Sequence, residues 1–309
     1  MTKKIILIRP DDWHVHLREG KALAHTVQET AETFARALVM PNLKKPLTHT
    51  KQVLEYYHAI QQEIGKKIFQ PLMTLYLTDN TSLEEITQAK KTGIIISAKL
   101  YPVGVTTHSE SGVQTLTKLY PVFEKMQEEN LVLNIHGEVA DPRCDIFERE
   151  ERFINDELIP LIQHFPNVRI TLEHISTQYA VDFILQAPKN VASTITPHHL
   201  LLDRNDLLSG GIKPHYYCLP IVKKHADKQA LIKAAISGHP RFFLGTDSAP
   251  HAINHKASAC GCAGIYNSPV ALPLCATIFE EMNALEKLEG FTSRFGAEFY
   301  QLPVNTAKI

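Results

Sequence analysis

The feature that most constrains this chain is an alternation. Eight short runs of strand character recur along it, each ending in polar residues. The first spans Ile5 to Leu17, broken by Arg9-Pro10. ARALVMPN ends at Asn42, PLMTLYLTD ends at Asp79, and GIIISAKLYP carries Lys99. LVLNIHGEV carries His136 and Glu138, RITLEHIS carries Glu173 and His174, VASTITPHHL carries His198 and His199, and RFFLGTDSAPH carries Asp247 and His251. Between most of these runs lie stretches of helical periodicity, such as HTKQVLEYYHAIQQEIGKK, SLEEITQAKKTG, GVQTLTKLYPVFEKMQEEN, RFINDELIPLIQHFP, QYAVDFILQAP and KKHADKQALIKAAISG. In the second of these, Ser82 reads as an N-cap with Glu85 three residues on. Strand and helix in strict turn, with mostly short connections, are the mark of parallel βα units, and eight units predict an α/β fold of the TIM type, a (β/α)8 barrel. The 309 residues slightly exceed the ~250 usual for such a barrel. No linker, repeat or low-complexity tract divides them, so one domain spanning 1–309 is expected.

A barrel of this kind places its active site at the C-terminal ends of the strands. His14, His16, Asn42, Lys99, His136, His174 and Asp247 fall there. In DDWHVHLREG, His14, His16 and Arg18 alternate with apolar residues, so an extended backbone would point all three the same way. Alone, His-x-His reads more readily as an exposed hairpin. The convergence of polar residues from six strands favours a metal site.

Four imidazoles and a carboxylate exceed the three protein ligands of an ordinary catalytic zinc. They suit two metals about 3.5–4 Å apart. Lys99 stands in an otherwise apolar strand, where its charged form is costly. Two readings of it stay open on chemical grounds. Its neutral amine can take up carbon dioxide to form a bridging carbamate, or it is a plain lysine paired with Asp247 or Glu138 over a single metal. A two-metal site with bridging hydroxide is a hydrolytic device, with Asp247 as ligand and proton shuttle. Arg18, beside Asn42 on the next strand, offers a planar fork that matches a carboxylate, and His251 can donate to the same anion. The expected substrate is a small anion with a hydrolysable C–N bond.

These residues sit in longer strings: RPDDWHVHLREG, VMPNL, PLMTLYLTD, AKLYP followed by TTHSESGV, HGEV, DIFEREERFI, LEHIST, TITPHHLLLDRN, GGIKPHYYCLPI, GTDSAPH and CGCAGIYNSPVAL. Together they resemble, nearly end to end, the amidohydrolase superfamily and within it the type II bacterial dihydroorotases. The resemblance implies reversible cyclisation of N-carbamoyl-L-aspartate to dihydroorotate in de novo pyrimidine synthesis. It implies two zinc ions per chain, one held by His14, His16, carbamylated Lys99 and Asp247, the other by the same carbamate with His136 and His174. Arg18, Asn42 and His251 would grip the substrate carboxylate. Backbone groups near Leu219 and Ala263 would meet the ring edge. A mobile loop would map onto 103–112, with Thr106 and Thr107 closing on substrate. A homodimer is also implied. The chain departs from the family in the first half of that loop, and it stops at LPVNTAKI where members run on for a few dozen residues.

Other classes fit less well. Net charge is −1 and charge is balanced, which speaks against nucleic-acid or polybasic membrane binding. No run reaches the length of a membrane span, and the N-terminal apolar run is too brief for a signal segment, so a cytoplasmic location is expected. Five cysteines do not make a disulfide framework. Cys260-Gly261-Cys262 lacks the second ligand pair of a zinc knuckle. A related amidase for hydantoin-like rings would not need a carboxylate clamp, and a non-catalytic scaffold would not need to keep every ligand. His198 and His199 fall near the site without an assigned role.

Overall fold

The computed structural model describes residues 4–259 and 261–309. Cys260, and with it the knuckle reading, lies outside the described residues, as do residues 1–3. Each of the eight runs supplies one strand: β1 Asp11–Val15, β2 Arg36–Val39, β3 Gln70–Tyr76, β4 Ile95–Leu100, β5 Val132–His136, β6 Ile170–Glu173, β7 Val191–Ile195 and β8 Phe242–Leu244. They pair in parallel and in chain order. The ring closes just past the end of β8. His16 N donates to Ser248 O at 3.1 Å and Asp247 N donates to His14 O at 2.9 Å. These two bonds set the histidine run and Asp247 side by side.

Helices surround the barrel where the periodicity placed them, at Thr50–Ile64, Leu83–Lys91, Tyr120–Glu128, Gln178–Gln186 and His225–Ile236. Ser82 caps as expected, accepting from Glu85 N at 3.2 Å. The Glu85 carboxylate does not complete that box. It turns to the start of the neighbouring helix and meets Thr50 N and, at 3.0 Å, His49 Nδ1. The stretch after β5 is helical over Arg149–His164, with a π-helical turn at Ile154–Leu158.

One expectation needs correction. Ile5 and Ile6 are exposed and lie outside the barrel. Pro10 interrupts the run, and the backbone of Leu7 and Arg9 instead pairs with Ile309 and Ala307 near the other end of the chain. A helix at Lys21–Thr33, for which no expectation was drawn, lies between β1 and β2 and buries Leu23, Val27 and Ala31 together with threonines 26 and 30.

The main core fills the space between strands and helices. A second cluster plugs the barrel's N-terminal end around Trp13, Leu38, Phe243 and Tyr300. The rings of Trp13 and Tyr300 stack with centroids 4.4 Å apart. Gly296 permits this closure, since a Cβ there would stand 2.0 Å from Trp13 Nε1.

Candidate active site

β1 ends at Val15, and the residues just past the strand ends are aimed by specific contacts. Asp12, buried under the site, accepts from His14 N at 3.1 Å and from Thr246 N at 2.8 Å. It therefore holds the histidine run against the residue preceding Asp247. Burial pushes its carboxyl up to about 7. Arg18, His174 and Asp247 all have positive φ, at 63°, 42° and 45°. Left-handed backbone at non-glycine residues is costly and gathers where a side chain must be aimed.

His14 Nε2, His16 Nε2 and Asp247 Oδ1 form a triangle with sides of 3.3, 3.4 and 3.0 Å. Ligands about 2.0–2.1 Å from a tetrahedral zinc stand about 3.3 Å from one another, so the triangle matches one face of such a site. On the far side of His14 its ring lies 5.0 Å from that of His174, which in turn lies 4.7 Å from that of His136. His136 Nε2 lies 2.8 Å from Glu138 Oε2. Burial pushes the Glu138 carboxyl up, but its contact with His136 outweighs this and holds it low. As an ionised acceptor, Glu138 assigns the proton to Nε2 and leaves the lone pair on Nδ1. This is how carboxylates orient metal-binding imidazoles. His174 Nδ1 is buried with no partner. Burial lowers the pKa of His136, takes His174 well below its usual value, and brings His16 down to about 3. All three are neutral donors at neutral pH, as metal binding requires. The donor set fits divalent metal.

Lys99 lies directly beneath, fully buried, with its Nζ against Glu173 Oε2 and 4.8 Å from the Tyr101 ring centroid. The pairing partner is Glu173, not the Asp247 or Glu138 of the plain-lysine reading. Burial pushes the Lys99 ammonium down, and Glu173 opposes it. Glu173 also approaches His14 Nδ1 to 3.1 Å and accepts from Asn134 Nδ2 at 2.7 Å. Asn134 in turn bonds the Tyr300 hydroxyl at 2.8 Å. A polar column thus runs from the barrel floor to the ligands.

Above them opens a cleft with about 340 Å³ of free space, counting its mouth. Of the residues singled out by sequence, Lys99 and His251 do not line it; the other eleven do. Arg18 is anchored by Nε, which donates to Pro250 O at 2.9 Å, and its Nη2 lies 3.1 Å from His251 Nε2. His251 Nε2 also lies 2.9 Å from Ala263 O. Nε2 thus stands between the Arg18 donor and the Ala263 carbonyl acceptor, and the guanidinium edge beside it offers N–H groups that match a carboxylate oxygen. The loop 103–112 lies over this wall. Asn42 Nδ2 donates to Thr107 O at 3.0 Å, and Thr107 Oγ1 donates to Ala263 O at 3.4 Å. Gly112 is required at its base, since a Cβ would stand 2.4 Å from Tyr101 O.

The sequence reading missed several residues here. Tyr101 lines the cleft with its buried hydroxyl unpartnered. Ala249 and Gly264 contribute wall. His198, left without a role, is buried beside Asn267, whose Nδ2 lies 3.1 Å from its Nδ1, while His199 is held by Thr196 and Pro220.

Residues 6–307 match the amidohydrolase family. A dihydroorotase of Coxiella burnetii is 58% identical over 308 residues, covering 99% of this chain and 88% of that one. The chain belongs to the dihydroorotase family. The crystal structure of the Saccharomyces cerevisiae dihydroorotase in complex with 5-fluoroorotic acid superposes with a TM-score of 0.90 at 40% identity, covering 97% of this chain and 85% of that one. An L-hydantoinase of Arthrobacter aurescens shares the fold at a TM-score of 0.78 and 18% identity, over 96% of this chain and 72% of that one. Among the described residues no helix is long and apolar enough to cross a membrane.

Proposed function

We infer that this chain is a dihydroorotase that interconverts N-carbamoyl-L-aspartate and dihydroorotate in pyrimidine biosynthesis. The observation that carries this reading is the presence, in one cleft, of the His14–His16–Asp247 triangle and the Arg18 guanidinium, with His251 Nε2 3.1 Å from Arg18 Nη2.

Two zinc ions are proposed: His14, His16 and Asp247 would hold one, His136 and His174 would hold the other, and a carbamate on Lys99 would supply oxygen ligands to both. The lowered basicity of Lys99 supports carbamate formation, because the neutral amine is what adds carbon dioxide, releasing a proton. When bound, the metals supply a hydroxide at neutral pH and polarise the scissile carbonyl. The chain's own residues do the rest. Arg18 and His251 take the substrate carboxylate between them. Asn42 joins them once its amide turns from Thr107. Backbone groups near Leu219 and Ala263 meet the ring edge, and Thr106 and Thr107 cover it. In hydrolysis the bond between the ring carbonyl carbon and the adjacent ring nitrogen breaks. Asp247 takes the proton from the attacking oxygen and passes it to that nitrogen; cyclisation runs these transfers backwards.

A single barrel domain, a cytoplasmic location and a homodimer complete the proposal, the last checked by light scattering. The functional test is dihydroorotate hydrolysis followed by ultraviolet absorbance. Turnover lost on chelation and restored by zinc is expected. No turnover with two metals bound per chain would overturn the reading.

A further inference from the structure

Lys256 ends a short helix, Ile253–Lys256, on the loop that follows β8. Its side chain turns inward and only 5% of the residue is exposed. Its Nζ donates to three backbone carbonyls, those of Tyr217 at 2.8 Å, Cys262 at 2.8 Å and Gly264 at 2.7 Å. All three ammonium protons are therefore used, with no carboxylate among their partners. An ammonium withdrawn from water and spent wholly on carbonyls is expensive unless it holds something in place.

What it holds is the cleft wall away from the metal ligands. Tyr217 leads into Leu219, and Cys262 and Gly264 flank Ala263. Leu219, Ala263 and Gly264 all line the cleft. The two segments are also joined directly, Gly264 N donating to Tyr217 O at 3.0 Å. Gly264 sits at φ 145°, and a Cβ there would stand 2.6 Å from Ala249 O, so this wall has little slack. Ala263 O is the acceptor for both His251 and Thr107. One cation thus ties together the two backbone segments proposed to read the ring edge, and through Ala263 it also reaches the anion clamp and the covering loop.

We propose that Lys256 is a specificity-determining positioning residue: its ammonium staples residues 217 and 262–264 so that the peptide groups near Leu219 and Ala263 stand in register for the substrate ring. It touches no proposed metal ligand, so it acts on substrate binding. This inference rests on the dihydroorotase reading.

The test compares wild type with Lys256→Met, which keeps the stem and removes the donors, and with Lys256→Gln, which restores an N–H donor group. Steady-state kinetics in both directions and metal content per chain are measured. Lys256→Met is expected to raise KM about tenfold or more in both directions, since bonds from a charged donor are among the stronger ones. Its kcat should stay within about threefold, because the loss is of binding shared by ground and transition states. Metal content should not change, and Lys256→Gln should fall between the two. A variant with wild-type KM, or one that loses metal or kcat while KM holds, would overturn the proposal. Should Lys256→Met not fold, the same two outcomes are read from Lys256→Gln, for which a KM rise of about threefold is expected. Wild type turning over no dihydroorotate would sink the functional reading instead, so the two failures are distinct.

Discussion

Replacing Arg18 by lysine tests the anion clamp most directly. In the structure Nε of Arg18 is committed to Pro250 O at 2.9 Å, and Nη2 faces His251 Nε2 at 3.1 Å. The fork divides its labour: one edge fixes the side chain to the wall while the other is presented to the cleft. A lysine keeps the charge but has one nitrogen. Seated on Pro250 O it surrenders the directed contact with substrate, and seated in the cleft it leaves that carbonyl without its donor. Either way about one hydrogen bond to a charged group is lost, on the order of 1.5–3 kcal/mol. At 1.4 kcal/mol per factor of ten, KM should rise roughly 10- to 100-fold. The carboxylate is remote from the bond that breaks, so kcat should change little. The assay is dihydroorotate hydrolysis across a substrate range that brackets the raised KM. Dihydrouracil, the same ring without the carboxylate, serves as control and should not distinguish variant from wild type. A KM within about twofold of wild type, in a variant that retains its metal, would refute the clamp, because a point charge would then do all that the fork does.

Other perturbations separate the remaining roles. Lys99→Ala should reduce bound metal, read by elemental analysis, because it removes the amine that would carry the carbamate; two metals bound with full activity would sink the carbamate reading. Asp247→Asn should lower turnover in both directions by about a hundredfold or more, and normal cyclisation by this variant would remove Asp247 as proton shuttle. Glu150, buried and bonded to Ser176 N at 2.8 Å, has its carboxyl pushed by burial from 4.5 up to about 7. Its folded pKa lies above its unfolded one, so its contribution to stability is complete below about pH 4.5 and is lost as pH rises through about 7. Glu150→Gln should therefore flatten the decline in stability across that window, by on the order of 3 kcal/mol, measured by urea unfolding at a series of pH values.

How much of this was legible in the sequence depended on whether a residue stood out against its neighbours. Lys99 is polar in an apolar strand and His14 and His16 close the first run, so their placement could be inferred once the strand ends were brought to one barrel face, and the (β/α)8 order came from eight recurrences of one pattern. Glu173 was visible as a strand end, but nothing local shows that it reaches both Lys99 and His14, since those contacts join β6 to β4 and β1. Asp12 carries no local signal of its role, because its partner Thr246 lies 234 residues away. Tyr101 reads as one more aromatic after a strand. The helix Lys21–Thr33 escaped because threonine can fill a buried face without announcing it, as Thr26 does by donating to the carbonyl of Leu17. The displaced N-terminal run was misjudged because its partner, the 307–309 segment, is distant in sequence.

The two sides of the cleft are built by different means, and this sets what each kind of mutation should do. The metal side is fixed from below by strand backbone and buried carboxylates: Asp12 under His14 and Thr246, Glu173 under His14 and Lys99, Glu138 behind His136. Each is a polar group in a dry interior, where an unpaired member is costly and the geometry admits few alternatives. The substrate side is fixed from above by carbonyls: Pro250 holds Arg18, Ala263 holds His251 and Thr107, and Lys256 holds the wall they share. Loops pinned by neutral acceptors yield at lower cost than strands pinned by charges. Disturbing the first set should cost metal and kcat together, whereas disturbing the second should cost KM first. Changes that raise KM while sparing metal should therefore cluster at Arg18, His251, Thr107 and Lys256. The same phenotype from Asp12→Asn or Glu138→Gln would show that the carboxylates serve the substrate and not the metals, and the division of the cleft would have to be redrawn.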